Sequence, residues 1–574
     1  MTVSGAVIGP LCCDNRPLAM SGTTSDGRQA GAGWEALSRG AWRQARELFE
    51  RRLEVDESAE SLEGLSWAAW WLDDEATVFA ARERAYLLYQ DGDRAGAARM
   101  ATWLAADHLD FHGAFAVAGG WLRRARRLLE PLEAGPDHGW LAFFEGYVAY
   151  VSGDTARTRE LGAQAADFGR TYGVPDLEML GLALQGATHV ACAQVEEGMR
   201  CLDEATATAL AGEATVPISG AWTCCFLVTA CTSVLDYRRA FEWCDRIAEF
   251  AERYGSRFML AFCCAHYGRI DVWRGRWADA EVLLQRSIED FSSSRPAWAE
   301  DPIVALAELR RLQGRAEDAS LLLDRAGPST ASELCRGRLA MDAGEADRAL
   351  KIGEKLDRQI AGERRLDHAP VFELLAKARM AAGDIDGAAA ALVQLRQIEQ
   401  QVRTPPFKAT NDLVEATLAA STGEHERARR LLEDAIDCFA RLGAPFEACL
   451  ARIELSKVLA ALGHTASAET EAQAAREGLL RLGAPVHAEK ALRLLGRPEV
   501  EGTPPAAPVT RREREVLSHL AEGLSNRQIA ELLVVSEHTV HRHVTNILRK
   551  LAVPSRSAAA AYAVRSGLLG DRRP

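Results

Sequence analysis

The sequence predicts an all-α protein in which a solenoid of stacked helix pairs precedes a small helical domain at the carboxyl end. A pattern of glycine and alanine returns roughly every 40 residues through most of the chain, a repeat length that is typical of helix-pair solenoids. A segment with four prolines, 497–508, ends that pattern. The residues after it combine a helical spacing of apolar side chains with a change in the sign of charge.

The order of segments follows from composition. Residues 1–30 are rich in Gly, Ser and Thr, and they lack the basic start and continuous apolar run of a secretion signal. We expect this segment to be disordered. The repeats predict one helical region, 31–496, and the prolines predict an extended linker at 497–508. The last domain is expected at 509–574.

Each repeat contains a glycine, an alanine five residues later and, in most copies, an apolar residue four positions further on. The glycine permits a tight left-handed turn between two helices, and the alanine lets the second helix lie close to the first. A fixed period of this size indicates stacked helix pairs rather than separate globular domains. Copies are predicted at Gly40, Gly92, Gly120, Gly275, Gly314, Gly344, Gly383, Gly423 and Gly463, with degenerate copies at Gly153, Ala193 and Leu235.

This pattern resembles tetratricopeptide repeats, and its longer period is similar to that of the superhelical repeats of MalT-type regulators. The resemblance covers about 34–496 and implies a region that senses a small-molecule effector or a protein partner. MalT-type regulators carry an ATPase ahead of their repeats. Here all seven lysines lie from Lys351 onward and none follows a Gly-x-x-x-x-Gly, so the sequence predicts no phosphate-binding loop.

Two clusters in the repeats are candidate ligand sites. His108 and His112 lie one helical turn apart near two aspartates, Asp107 and Asp110, which is one way to form a metal-binding helix face. A third ligand at metal-binding spacing is missing, so we predict no metal and no cofactor. The arginines at 123, 124, 126 and 127 fit either a solvated helix face or a site for an anionic ligand.

The aromatic and cysteine residues favour core packing. All 13 tryptophans precede residue 299, where they could pack between helix pairs or line a concave wall that binds an effector. The 13 cysteines form no C-x-x-C pair, which favours reduced thiols in a cytoplasmic protein. The sequence contains no run of 18 apolar residues, so we expect no membrane span. No catalytic constellation of residues stands out, so we do not expect an enzyme.

The charge is divided unevenly along the chain. Lys and Arg total 68 and Asp and Glu 81, for a formal net charge of −13, which taken alone argues against nucleic acid as a partner. Residues 509–574 hold 11 basic and six acidic side chains, for a net charge of +5. Residues 1–508 therefore carry −18. If a nucleic acid is a partner, this basic segment is the part suited to contact it.

This segment is predicted to form four short helices. Thr510 caps the first, which ends near Gly523, and Ser525 or Asn526 caps the second. Val534 and Val535 form a turn, and Ser536 caps a third helix at 537–551. A fourth helix is expected at 556–566. The residues predicted to face inward are Ile529, Ala530, Leu532, Leu533, Val540, Val544, Ile547, Leu548 and Leu551.

The same segment closely resembles the LuxR-type helix-turn-helix family. The matching stretches are VTRREREVL (509–517), GLSNRQIA (523–530), SEHTVHRHVTNILRKL (536–551) and SRSAA (555–559). The resemblance implies a four-helix DNA-binding domain with a scaffold helix at 524–532 and a recognition helix at 536–551. His541, Arg542 and Thr545 are then the candidates for contact with base edges in the major groove.

The resemblance also implies phosphate contacts and a dimer. The residues expected to contact phosphates or orient the helix are Ser525, Asn526, Arg527, Thr539, His543, Arg549 and Lys550, with His538 on the same polar face. The fourth helix would form a homodimer through Ala559, Ala560, Tyr562, Ala563 and Val564. The family commonly has lysine where this chain has His541, so a neutral imidazole there would weaken attraction to guanine or phosphate.

Two functions remain open at this point. The first is a transcription regulator, more an activator than a repressor, that binds operator DNA. RNA polymerase is then expected as a further partner, and an unknown effector is expected to bind the repeats. The second is a tetratricopeptide-type interaction scaffold in which DNA binding is secondary.

Overall fold

The computed structural model describes residues 25–211, 213–495, 510–521, 524–550 and 559. Within those ranges the chain forms 28 α-helices and one short 3₁₀ turn, and none of the residues described is in a β-strand. None of these helices is both long and apolar enough to cross a bilayer. The predicted all-α class, with a helical-repeat solenoid followed by a helix-turn-helix domain, is confirmed.

The chain divides into two compact units, one ending at Val414 and one starting at Glu415, with the division inside helix α21. The helices that precede α21 are α1 (Ser25–Ser38), α2 (Trp42–Val55), α3 (Ala59–Trp71), α4 (Glu75–Tyr89), α5 (Arg94–His112), α6 (Phe115–Leu129), α7 (Pro136–Val151), α8 (Thr155–Tyr172), α9 (Pro175–Ala191), α10 (Val195–Leu210), α11 (Pro217–Ser233), α12 (Tyr237–Tyr254), α13 (Arg257–Trp273), α14 (Trp277–Ser294), α15 (Glu300–Leu312), α16 (Ala316–Ala326), α17 (Thr330–Asp342), α18 (Ala346–Gln359), α19 (Arg365–Ala381) and α20 (Ile385–Val402).

The second unit contains helical repeats as well as the final domain. The remaining helices are α21 (Pro405–Ser421), α22 (His425–Leu442), α23 (Pro445–Ala461), α24 (Thr465–Leu482), α25 (Pro485–Arg493), α26 (Arg511–Ala521), α27 (Asn526–Leu533) and α28 (Glu537–Lys550). The predicted linker, 497–508, lies outside the described residues. Helix α1 begins at Ser25, inside the segment 1–30 that was expected to be disordered, and residues 1–24 are not described.

Tight turns with a left-handed residue join the two helices of each pair. The residues at these turns with positive φ are Gly40, Asp73, Gly113, Gly153, Ala193, Leu235, Gly275, Gly314, Gly344, Gly383, Gly423 and Gly463. The predicted period is confirmed, as are the degenerate copies at Gly153, Ala193 and Leu235. The copy predicted at Gly120 is wrong, because Gly120 lies inside α6. Gly92 does lie between two helices, α4 and α5, with Ala97 buried, but it connects successive pairs and is not a positive-φ residue. The turns there are at Asp73 and Gly113 instead.

The position five residues after the turn is buried, and in most pairs it holds a small residue, with Val78 in the second pair as an exception. Ala45, Ala118 and Ala428 are fully buried there, so the second helix of a pair can approach the first closely. The side chain nine residues after the turn fills the groove between the two helices of the pair, as Phe49 does in the first pair. In the second pair this position is occupied by Arg82, which is 1% exposed and forms an ion pair with Asp107 at 2.8 Å.

Within the first unit, helices far apart in sequence pack against each other. The Trp42 indole donates a hydrogen bond of 2.6 Å to the carbonyl of Tyr254, 212 residues away. The guanidinium of Arg364 donates one of 2.7 Å to the carbonyl of Tyr150, 214 residues away. Tryptophans fill the space between helices, and the rings of Trp42 and Trp71 are stacked with centroids 4.4 Å apart.

Candidate nucleic-acid interface

Capping residues define the starts of the three described helices of the final domain. The Thr510 hydroxyl accepts from the Glu513 amide at 3.3 Å, and the Glu513 carboxylate accepts from the Thr510 amide at 2.7 Å. Ser525 and Gln528 form the same reciprocal pair at the start of α27. Ser536 accepts from the Thr539 amide at 3.1 Å before α28. The predicted caps at Thr510, Ser525 and Ser536 are confirmed.

A small hydrophobic core holds these helices together. Its buried side chains are Val516, Leu517, Leu520, Ile529, Ala530, Val540, Val544, Ile547 and Ala559, and Leu524, Leu533, Val535 and Leu548 pack against them. Leu532, which was expected to face inward, is 59% exposed, because the burial of Ile529 and Ala530 turns this side of the short helix outward. Leu551 lies outside the described residues.

A two-valine turn sets the angle between α27 and α28. Val534 adopts φ 52° and ψ 50°, the left-handed region, and is 90% exposed. The amide of Val535 donates to the Ala530 carbonyl at 3.0 Å, and its side chain packs on the core. The predicted turn is confirmed, and it presents α28 as the second helix of a helix-turn-helix.

Two of the three candidate base-contacting residues lie on the exposed side of α28. His541 and Thr545 are both exposed and one helical turn apart. The Thr545 hydroxyl donates to the His541 carbonyl at 3.0 Å. Although part of its surface is exposed, partial desolvation of the ring, together with the nearby His538 and Arg452, lowers the pKa of His541.

The other polar residues of this helix face contact the helical repeats of the same unit. His538 is 3% exposed, and its Nδ1 lies 2.7 Å from Oδ1 of Asp437 in α22. The side chain of Arg542 is 15% exposed, and its Nη1 lies 3.8 Å from Oε1 of Glu471 in α24. The sequence contains no local signal for Asp437 and Glu471, because each lies many residues before α28.

Several candidate phosphate-contacting residues have partners within the domain. Nζ of Lys550 lies 2.7 Å from Oε2 of Glu513. Arg527 is exposed, with Nε 3.8 Å from Oε1 of Glu531 in the same helix. Thr539 is half-buried beside Ser536, with their hydroxyls 2.9 Å apart.

The remaining candidates differ in how they are placed. His543 is half-buried, and burial together with neighbouring positive charges lowers its pKa to about 4. Asn526 is the first residue of α27, and Ser525 caps that helix. Arg549 lies in α28, but its side chain is outside the described part of the structure. The DNA contacts of all these residues stay predictions.

The expected dimer surface is described at one residue only. Ala559 is fully buried in the core of its own domain, which corrects the expectation that its side chain faces a partner. The other predicted members, Ala560, Tyr562, Ala563 and Val564, lie outside the described residues. The homodimer therefore stays a prediction.

The candidate sites in the repeats are occupied by ordinary side-chain contacts. Asp107 pairs with Arg82 and Asp110 with Arg295, so the two aspartates near His108 and His112 are engaged by arginines. His112 lies 2.6 Å from Glu75, and its ring stacks on Phe79. No group of three or more His, Cys, Asp or Glu side chains within the described ranges has an arrangement that could hold a metal.

The predicted arginine cluster lies on α6, beside a shallow depression of about 450 Å³ that Tyr86 and Trp121 help to line. Arg124 donates to the Tyr86 hydroxyl at 2.6 Å, and Arg126 pairs with Glu145. Burial raises the pKa of the Cys224 thiol in α11 to about 12, which makes this thiol a poor nucleophile.

Comparison with known proteins supports the helix-turn-helix. Residues 507–563 match the family model described as bacterial regulatory proteins, luxR family. The transcriptional regulatory protein LnrK of Bacillus subtilis is 48% identical over 75 residues, which are 13% of this chain and 34% of LnrK. The nitrate/nitrite response regulator protein NarP of Escherichia coli is 47% identical over 79 residues, 13% of this chain and 37% of NarP. The similarity thus spans only about a third of these relatives.

The repeats have weaker counterparts. The crystal structure of the APC/C hetero-tetramer Cut9-Hcn1 aligns with 95% of this chain and 96% of that chain, at 12% identity and a TM-score of 0.42. A score this low supports no argument, so the solenoid assignment depends on the helix pairs themselves. The segment 507–563, with its capped helices and two-valine turn, is a DNA-binding domain of the luxR family of bacterial regulatory proteins, carried by a chain of helical repeats.

Proposed function

We propose that this protein is a transcription regulator whose α28 enters the major groove of operator DNA. The observation that carries the proposal is the luxR-family match at 507–563 together with a helix-turn-helix in which α28 presents polar side chains. Arg542 offers two parallel donors to guanine, while His541 and Thr545 can contact other base edges. The basic side chains around α28 would neutralise phosphates.

The regulator is proposed to act as a homodimer on two half-sites. Family resemblance at the fourth helix supports this, and two recognition helices would then lie about one turn of DNA, roughly 34 Å, apart. The helical repeats are proposed to receive a small-molecule or protein effector. Activation by contact with RNA polymerase is the form of regulation that the resemblance favours.

The test is DNA binding by the full chain. Operator fragments are selected from genomic DNA by the purified protein, and Kd is measured by fluorescence anisotropy at several salt concentrations. We expect affinity to fall steeply as salt rises. Arg542→Ala should weaken binding by about tenfold or more, since a bidentate contact is worth roughly 1–3 kcal/mol.

A matched arginine provides the control. Arg200 is exposed on α10 and pairs only with Glu197 among the contacts observed, so Arg200→Ala should bind DNA as the wild type does. Equal loss in both variants, or selection of no sequence by the wild type, would contradict the proposal. In that case the repeats as an interaction scaffold would become the better explanation.

A further inference from the structure

In the second unit the recognition helix packs against acidic residues of the helical repeats. Helix α28 contacts α22, and side chains of α28 also reach α24. The side of α28 that touches the repeats carries His538 and Arg542, one helical turn apart. Both were identified from the sequence as members of the DNA-contacting face.

The first contact joins His538 to Asp437. The imidazole Nδ1 lies 2.7 Å from the carboxylate Oδ1, within hydrogen-bond distance, and only 3% of the histidine surface is exposed. The other ring nitrogen, Nε2, is buried without a hydrogen-bond partner. A histidine in this position has no free edge to offer to a base or a phosphate.

The second contact joins Arg542 to Glu471. The Glu471 side chain is fully buried, and one of its oxygens accepts a hydrogen bond from Arg452 in α23. Its other oxygen, Oε1, has no hydrogen-bond donor and lies 3.8 Å from Nη1 of Arg542. The carboxylate therefore presents a negative charge to the guanidinium, as a DNA phosphate would.

Helix α28 cannot pack against the repeats and enter the major groove of DNA at the same time. The groove accepts an α-helix only when the side chains that contact the bases are free to reach them. Here His538 is buried against α22, and most of the Arg542 side chain is covered, while His541 and Thr545 stay exposed. Part of the DNA-contacting face is accessible, but the Arg542 guanidinium faces Glu471 of the repeats, and its Nη1 is buried there without a hydrogen-bond partner.

We propose that Asp437 and Glu471 form a docking surface for α28, and that this surface competes with DNA for the recognition helix. The inference rests on the proposed function and adds its regulation. With α28 docked on Asp437 and Glu471 the protein is in a closed form with low affinity for DNA. Release of α28 from this surface gives the open form, which binds DNA. An effector that binds the repeats would act by shifting this equilibrium, because the apparent Kd equals the intrinsic Kd divided by the fraction of open molecules.

The experiment uses full-length Asp437→Asn, which removes the acceptor charge at a partly exposed residue. We expect it to bind operator DNA with a Kd about three- to tenfold lower than that of the wild type. Glu426→Gln is the matched control, because Glu426 is on the same helix and pairs only with Arg429 among the contacts observed. It also removes one negative charge, so it corrects for weaker long-range repulsion of DNA. An equal Kd for Asp437→Asn and Glu426→Gln overturns the inference.

A second variant tests the other contact. Glu471→Gln should also lower the Kd, with Glu469→Gln on the exposed side of α24 as its control. Since Glu471 also holds Arg452, the circular dichroism of each variant is compared with that of the wild type. The Asp437 variant carries the test if the Glu471 variant is misfolded.

A measurement without DNA separates this inference from the proposed function. Diethyl pyrocarbonate acylates accessible neutral imidazoles, and peptide mass spectrometry resolves His538 from exposed His541. In the wild type we expect His538 to react at least about tenfold more slowly than His541. In Asp437→Asn we expect His538 to react at a rate similar to that of His541. Equal rates in the wild type overturn the docking, whereas the expected rates without any DNA binding support the docking and contradict only the proposed function.

Discussion

At the scale of single residues, Val534 shows how the domain tolerates an unfavourable backbone. A β-branched residue in the left-handed region costs about 1–2 kcal/mol, and at 90% exposure its side chain recovers little by burial. The neighbouring residues explain why the turn persists, since Leu533 and Val535 both pack on the core. The strain at one residue is therefore offset by the two residues that flank it.

His543 makes the stability of the final domain depend on pH. Burial lowers its pKa to about 4, and the positive charges of Arg542, Arg512 and Lys550 act in the same direction, opposed by Glu513. The ordinary histidine pKa of 6.5 applies to the unfolded chain. The neutral ring therefore contributes its full stability above pH 6.5, and this contribution is lost as the pH falls from 6.5 towards 4.

We predict that His543→Asn removes this part of the acid sensitivity. In the wild type, hydrogen-exchange protection of the Ile529 and Ile547 amides, corrected for intrinsic rates, should fall by up to about tenfold per pH unit in that window. The variant should show a smaller slope. His464→Asn, at an exposed position in the repeats, is the control. Parallel slopes for the wild type and His543→Asn would contradict the prediction.

At the scale of one helix, Ser525 has two candidate roles that substitution can separate. It caps α27 by a reciprocal pair with Gln528, and it was predicted to contact DNA phosphate. We predict that Ser525→Ala destabilises the domain by about 1 kcal/mol, because an amide at the helix start loses its acceptor. Ser525→Asp should keep the stability, since aspartate caps helices equally well.

The aspartate variant then reports on DNA alone. If Ser525 contacts phosphate, Ser525→Asp should bind operator DNA several-fold more weakly at an unchanged free energy of unfolding, because it places a carboxylate beside the DNA phosphates. Stability is followed by the same amide-exchange protection, and Kd by anisotropy. Wild-type affinity of the aspartate variant would limit Ser525 to its capping role.

At the scale of the first unit, Arg295 joins segments that are distant in sequence. The guanidinium is fully buried and pairs at 2.8 Å with both Asp110 and Asp73, which lie on α5 and on the turn after α3. It also lies 3.8 Å from the centre of the Phe111 ring. Two carboxylates and an aromatic face suit a planar, delocalised cation.

We predict that Arg295→Met lowers the free energy of unfolding of this unit by about 3–5 kcal/mol, since it leaves the buried Asp110 and the partly buried Asp73 without their cation. Arg295→Lys should recover only part of the loss, because an ammonium group cannot reproduce the two-carboxylate geometry. Urea unfolding followed by tryptophan fluorescence reports this unit, as all 13 tryptophans precede residue 299. Exposed Arg286→Met is the control, and equal midpoints for the two variants would rule out the structural role.

The repeat pattern could be predicted from the sequence wherever the turn position holds glycine or the position five residues later holds a small residue. Nine of the turns carry glycine, and even Ala193 and Leu235 were identified from the alanine or small residue that follows. The second pair was missed because Asp73 occupies the left-handed turn and Arg82 the groove position. A charged residue in the groove is stable only beside Asp107, on the next helix pair, and a local pattern contains no information about that partner.

The sequence by itself determined the all-α class, the helix-pair period, the helix caps and the luxR-type helix-turn-helix, because each depends on residues within one or two helical turns. Its charge distribution, −18 before the last domain and +5 within it, also identified the part suited to DNA. Only the tertiary structure decided which basic and acidic residues meet. The contacts of Arg295 with Asp73 and of Arg542 with Glu471 depend on how helices distant in the chain pack, and no local pattern encodes that packing.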